Sequence, residues 1–566
     1  MGTFSKLLPQ DSLPKWQVAL LASIPVAFGL GYLYYRFNVN TKELIVVNKV
    51  SKDKKTVKVT DCLENDEPVE VPASKRAENL KNEGNVCFKA GDYEKAVQFY
   101  TEAIKIVPPD DKPQQATFFQ NRAAAHERLN NLDKVIEDCT TALKLNKYYS
   151  KAMLRRAKAA EKQNNLDLSL EDLATACILE RFQNNDNVNE LDRVAKAAAS
   201  RDVEDFTKNH EPKLPSRFFI KTYVSTYQHG SAVDKVDLND PISVKLLEKL
   251  KEVEQALLSS QDITEQCSDL IKKCEEAKQE IIRAEALLLR ATYNILSKQS
   301  EKAFEDLEKI ITDENVDPRV RVNALIRRAT LHQHSGDTKK REDDFQAAVA
   351  IDENNPDIYH HWGQIHLILD NLTESVNNFR KATALDPNFV VSAVQHCFTE
   401  YKLAVLEKNT DNMLLFLNEF KNIIKKFPDN IECLTLYAQV LTERQDFSEA
   451  AKLFDEAIKR EPKNAALLVH KALLVLQWKA DVETAKSLIH KALELDSDCE
   501  FAYETIATIE MQLNDLNKAV DYFNEAIKRF TSKDELMHLF CLRNSANAQI
   551  KAEKRVGRLS MPFNFS

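Results

Sequence analysis

The sequence predicts an all-α chain in which antiparallel helix pairs stack in two arrays behind a single membrane-crossing helix. Three observations predict it. Only 9 glycines and 17 prolines occur among 566 residues, of which 29% are charged. Strand-and-turn folds need glycine at their turns, so helices joined by short polar turns are expected. One uncharged stretch near the N-terminus is long enough to cross a bilayer, and most of the chain beyond it repeats itself at a fixed period. At this length one compact core is not expected.

The same composition excludes several functions. Scarce glycine leaves no phosphate-cradling loop and no nucleotide fingerprint. With 78 basic and 87 acidic residues the net charge is −9, which argues against a general nucleic-acid binder. The 10 cysteines are dispersed without a C-x-x-C pair, and most fall at apolar helical positions, as buried reduced thiols in a reducing compartment do. No nucleophile–base constellation stands out, so no enzyme and no cofactor is expected.

Trp16 to Tyr35 reads WQVALLASIPVAFGLGYLYY, 20 residues without a charge, about 30 Å as a helix. Trp16, Tyr32, Tyr34 and Tyr35 lie near its ends, where amphipathic rings favour the lipid interface. Lys6 and Lys15 precede the span, whereas Arg36, Lys42, Lys49, Lys52, Lys54 and Lys55 come after it. Residues 16–35 are therefore expected to be a retained anchor. The tail 1–15 crosses, and the remainder stays in the cytosol behind a charged tether, 36–74.

Leu80, Gly84, Ala96, Tyr100, Ala103 and Pro108 stand at positions 4, 8, 20, 24, 27 and 32 of a unit. The same spacing returns as Tyr359, Gly363, Ser375, Phe379, Ala382 and Pro387, and as Leu434, Ala438, Ala450, Phe454, Ala457 and Pro462. This is the tetratricopeptide pattern: small residues at 8, 20 and 27 let two helices pack closely, large ones at 4 and 24 fill between them, and proline ends the second helix. Weaker copies begin near Ala116, Ser150, Ala284, Val322, Val390 and Ala465, making about ten helix pairs that curl into a superhelix. The expected division is a three-repeat domain over 75–183, a helical linker region over 184–283, a second array over 284–553 and a tail over 554–566. Residues 534–553 read as a last helix covering the open end of the second array.

Five side chains of the first three repeats are expected on one inner wall. Lys81 and Asn85, at i and i+4, share a helix face. Asn121 lies on the first helix of the second repeat, and Lys151 and Arg155, again i and i+4, lie on the first helix of the third. Three cations and two carboxamides converging in a groove suit a peptide's C-terminal carboxylate and an acidic neighbour.

Lys81, Asn85, Asn121, Lys151 and Arg155 match, one by one, the dicarboxylate clamp of co-chaperone tetratricopeptide domains. That resemblance implies binding of the Glu-Glu-Val-Asp terminus of the Hsp70 and Hsp90 chaperones, with Ala124 walling the pocket for the terminal apolar side chain. The Pro108–Pro113 insertion departs from the shorter co-chaperones without touching the clamp. Anchor, tether, clamp and longer second array together resemble the seventy-kilodalton receptors of the mitochondrial outer-membrane translocase. The resemblance implies a second array that binds internal targeting signals of hydrophobic carrier precursors and hands them to the import pore and its translocase subunits. A clamp-bearing scaffold on another membrane, such as the endoplasmic reticulum, is the alternative.

In the second array the equivalent inner-wall positions include Leu288, Ile326, His360, Gln364, Gln439 and Leu473. They mix apolar and uncharged polar groups, which suits an extended or amphipathic segment, and they are the candidate precursor-binding residues. His360, His361, His366, His332 and His334 lack the spacing of a metal site, so no metal is expected.

Overall fold

The structure is a computed structural model that describes residues 72–209, 214–529 and 533–557. The expected anchor at 16–35, and all but the last residues of the tether, lie outside the described residues. Within them no helix is long and apolar enough to cross a membrane, and every regular element is helical.

Among the described residues twenty-five α-helices succeed one another. The first three pairs are α1 (Ala73–Ala90) with α2 (Tyr93–Ile106), α3 (Lys112–Arg128) with α4 (Leu132–Leu145), and α5 (Ser150–Lys162) with α6 (Leu166–Leu179). Then come α7 (Asn185–Asn209), the short α8 (Arg217–Ser225), and the pair α9 (Pro241–Leu258) and α10 (Thr264–Ala277). Seven further pairs are α11 (Glu280–Leu296) and α12 (Ser300–Thr312); α13 (Pro318–His334) and α14 (Thr338–Ile351); α15 (Pro356–Ile368) and α16 (Leu372–Leu385); α17 (Val390–Leu406) and α18 (Thr410–Lys426); α19 (Ile431–Glu443) and α20 (Phe447–Arg460); α21 (Ala465–Lys479) and α22 (Val482–Leu495); α23 (Glu500–Gln512) and α24 (Leu516–Ile527). The last helix is α25 (Lys533–Val556).

The turns explain how so little glycine suffices. Between the helices of a pair, one residue takes the left-handed conformation, among them Gly91, Asn130, Asn164, Gly336 and Asp370. The next is Asp or Asn in each of these cases, and Asp92, Asn165 and Asp337 accept a backbone N–H of the second helix. Asparagine and aspartate tolerate the left-handed region and cap helices, so one dipeptide both ends a helix and begins the next. Glycine is needed where rings press on a helix instead. A Cβ on Gly84 would stand 2.7 Å from the Tyr100 ring, and one on Gly363 would stand 3.0 Å from Phe379. Those are positions 8 and 24 of the repeat in contact.

A second repeated device was missed in the sequence. Arg122 bonds Asp138, Arg156 bonds Asp172, Arg290 bonds Asp306 and Arg328 bonds Asp344, in each case sixteen residues on and through two guanidinium nitrogens. Each pair ties the first helix of a repeat to the second, and Asp172 is wholly buried. Bidentate geometry is what lets such a buried pair be held.

The chain divides into two compact units. One holds the described part of Lys42–Asn209 with Ala507–Asn524 and the described part of Met537–Ser566. Its core gathers Leu166, Leu170 and Leu173 of α6, Val194, Ala195 and Ala198 of α7, and Ala548, Ala552 and Val556 of α25. One expectation is corrected here: helix α7 packs on α6 instead of belonging to a linker. Helix α25 lies over α6–α7, with Arg555 bonded to Asp172 at 2.7 Å, and its Gln549 also bonds Asn514 in the turn between α23 and α24 at 3.3 Å. An apolar stripe shows that a helix has a partner but not which one. The other unit holds the described part of His210–Ile506 with Glu525–Leu536, built on α9 to α22.

Candidate functional site

In the first unit, Lys81 and Asn85 stand on α1, Asn121 and Ala124 on α3, Lys151 and Arg155 on α5. Asn121 Nδ2 donates to Asn85 Oδ1 at 3.4 Å, so the two carboxamides meet across the first and second repeats. The Tyr100 hydroxyl donates to the same Asn85 oxygen at 2.8 Å, and burial pushes its phenol up to about 12, keeping it a neutral donor. Both bonds fall on the Asn85 oxygen, and its N–H₂ can only donate. Arg155 is tied back to α3, its Nε donating to Glu127 Oε2 at 2.8 Å and its Nη1 to the Gln120 carbonyl at 3.5 Å. Lys81 pairs with Glu78 one turn back. Lys151 is exposed and Ala124 half-buried. Tyr100, Glu78 and Glu127 were not foreseen. Tyr100 could have been, since position 24 faces position 8, where Gly84 stands, and Asn85 is the next residue.

The second unit departs further from expectation. Leu288, Ile326 and His360 are 5%, 0% and 0% exposed. Leu288 and Ile326 belong to the packed core, and His360 sits among His361, Phe379 and Phe389. All three are packed within the chain itself, where the expectation had set them on an open wall. Gln364 is half-buried and engages His361 at 3.2 Å. Leu473 is half-buried.

The reason is a strap formed by residues 226–236. Tyr227 stacks on His361 with ring centres 4.1 Å apart, and the Arg327 guanidinium lies 3.7 Å from the Tyr227 ring centre. The ring of His229 reaches Asp357 at 2.8 Å and Asp386 at 3.3 Å, and the Asp357 hydrogen bond raises its pKa. Gly230 passes so close to Asn323 that a Cβ would stand 2.0 Å from the amide nitrogen. Glu285 accepts from Ser231 Oγ at 2.8 Å and from the Ala232 N–H at 2.6 Å. The chain thus lays its own backbone on α11, α13 and α15.

Beyond the strap a cavity of ≈ 240 Å³ opens between α8, α17, α19 and α21. Gln439, expected from the sequence, lines it with Glu432, Thr435, Asn464 and His470. Glu432 still meets solvent on one side, yet burial pushes its carboxyl up to about 8; burial likewise drives His470 down to about 4. Among the described residues no group of three or more His, Cys, Asp or Glu is placed to hold a metal ion.

Comparison with known proteins finds the repeats. The tetratricopeptide repeat family matches residues 77–110, 356–389, 435–498 and 502–530. The mitochondrial import receptor subunit TOM70 of Rattus norvegicus is 38% identical over 98% of this chain and 95% of its own length. The protein of that name from Homo sapiens is 37% identical over 96% of this chain and 93% of its own. The crystal structure of yeast Tom70 aligns over 84% of this chain and 96% of its own, at 25% identity and a TM-score of 0.49. Identity above a third along nearly the whole of both chains places this chain in the TOM70 family of mitochondrial import receptor subunits.

Proposed function

We propose that this import receptor of the mitochondrial outer membrane works with two grips, one for a chaperone and one for its cargo. The first takes the acidic C-terminus of Hsp70 or Hsp90 between α1, α3 and α5. The second takes a precursor polypeptide in the cavity bounded by α8, α17, α19 and α21. The span 16–35 anchors the chain with its bulk in the cytosol, and the cargo passes to the import pore. The observation that carries the first grip is the pair of touching carboxamides, Asn85 and Asn121, with Arg155 tied to the same helix as Asn121. A terminal carboxylate receives N–H donors from the amides, and an acidic side chain meets Lys151 and Arg155. Charge-assisted bonds of this kind contribute about 1.5–3 kcal/mol each.

Two modest contacts on one chaperone–precursor complex raise the effective concentration of the second. That is how weak grips become a selective receptor. Fluorescence anisotropy with a peptide ending in Glu-Glu-Val-Asp tests the first grip. Arg155→Ala is expected to weaken binding by about 10- to 150-fold, equivalent to one such bond. Amidating the peptide's C-terminus is expected to weaken it comparably, and raised salt to weaken it in part. An affinity unmoved by both changes ends the assignment.

A further inference from the structure

The cavity between α8, α17, α19 and α21 carries polar groups that the chain itself leaves unused. Among the described residues Gln439 Nε2, Asn464 Oδ1 and His470 Nδ1 have no hydrogen-bond partner, on side chains only 5%, 7% and 2% exposed. All three side chains line one space of ≈ 240 Å³. Buried polar groups are nearly always paired in folded proteins, so three orphans around one cavity mark a place completed by a ligand's own donors and acceptors. Glu432 lines the same space. It accepts from Gln395 Nε2 at 3.2 Å, and among the described residues it makes no ion pair.

The charge on the wall narrows the ligand. Facing the cavity are Lys221 from α8, Asp429 before α19, Glu432 on α19 and Glu461 before α21, the last accepting from Asn464 Nδ2 at 3.0 Å. His470 on α21 is neutral. An anionic group would confront Asp429 and Glu461 with one lysine against them, and Glu432 would have nothing to ionise against. A purely apolar group would leave all three orphans unpaired. A cation meets a carboxyl that has none, in a recess where Coulomb attraction is poorly screened.

We propose that this cavity receives one lysine or arginine side chain of the bound polypeptide, with Glu432 as its counter-ion and Gln439, Asn464 and His470 hydrogen-bonded to the backbone beside it. The proposal rests on the reading of the second unit as a polypeptide holder and gives that polypeptide a chemistry: apolar residues around an obligatory basic one. Because burial keeps the empty-site carboxyl protonated at neutral pH, seating a cation ionises it and releases a proton.

Two labelled peptides of one apolar amphipathic sequence, differing only in a single lysine or norleucine, test this on the full chain by anisotropy at pH 6, 7 and 8. The chain is expected to prefer the lysine peptide by about tenfold at pH 8, with the preference shrinking toward pH 6 as Glu432 becomes harder to ionise. Glu432→Gln is expected to bring the two affinities together. Equal affinities in the unmutated chain, a preference independent of pH, or one that survives Glu432→Gln overturns the proposal while leaving a polypeptide-binding cavity. Should neither peptide bind the unmutated chain, the polypeptide reading falls as well. The pH series needs no substitution, so a misfolded variant cannot decide the matter.

Discussion

At the scale of single residues, the clamp groups are not idle before a peptide arrives. Arg155 shares its Nε with Glu127, and Lys81 pairs with Glu78. Both carboxylates are partly exposed, and a pair of that kind stabilises by only about 0.2–1 kcal/mol. In the proposed grip, an incoming acidic side chain would therefore displace Glu127 from Arg155 at small cost. Glu127→Gln is expected to raise affinity for an acidic free-carboxylate peptide about two- to fivefold, read by anisotropy; weaker binding would show that Glu127 orients the guanidinium instead of competing for it. Lys81, Asn85, Asn121, Lys151 and Arg155 were legible in the sequence because the repeat gives each a fixed register. Glu127 was not, since its contact crosses from α3 to α5 and depends on how far one repeat is rotated against the next. The burial of Leu288, Ile326 and His360 was hidden for a related reason: register says which way a side chain faces, not whether something else already covers it.

At the scale of elements, the Arg–Asp pairs and the strap do different work. The pairs Arg122–Asp138, Arg156–Asp172, Arg290–Asp306 and Arg328–Asp344 lock each helix to its own partner. Breaking a buried pair from one side leaves a charge unpaired, so Asp172→Asn is expected to destabilise the first unit by about 3 kcal/mol, measured by urea denaturation. The strap joins repeats to one another, and its hold is pH-dependent. The folded-state pKa of His229 is raised above its unfolded value near 6.5, chiefly by the Asp357 hydrogen bond. Its contribution is then complete below about that unfolded value and is lost as pH rises through the higher folded value. Hydrogen-exchange protection factors of residues 226–236 are expected to fall between pH 6 and pH 9, and His229→Gln is expected to remove that dependence. Flat protection factors in the unmutated chain would leave Tyr227 and Arg327, not His229, as the strap's anchor.

At the scale of the whole molecule, the chain returns at its end to the unit in which the described residues begin. Ala548, Ala552 and Val556 lie in one core with Leu166 and Ala195, and Arg555 shares Asp172 with Arg156. Ending the chain before residue 547 removes that cover. One buried valine is worth about 1.5–3 kcal/mol, and Asp172 also loses a cation. The truncated chain is therefore expected to lose stability in the clamp-bearing unit and, with it, affinity for the acidic peptide, although no clamp residue lies within the deleted segment. Denaturation and then clamp-peptide anisotropy read both; an unchanged unfolding midpoint would show α25 to be dispensable there.

By itself the sequence determined the helical class, the period, the close approach of positions 8 and 24, and the helices on which Lys81, Asn85, Asn121, Lys151 and Arg155 stand. All of these come from spacing along one helix or between two adjacent ones, where geometry is nearly invariant. Only the tertiary structure decided that residues 226–236 lie on α11, α13 and α15, that α25 belongs with α6 and α7, and that Glu432, Gln439, Asn464 and His470 surround one cavity. Those contacts join segments far apart in the chain. Amphipathic periodicity reveals that a face is buried, but hydrophobic attraction has no direction that names its partner.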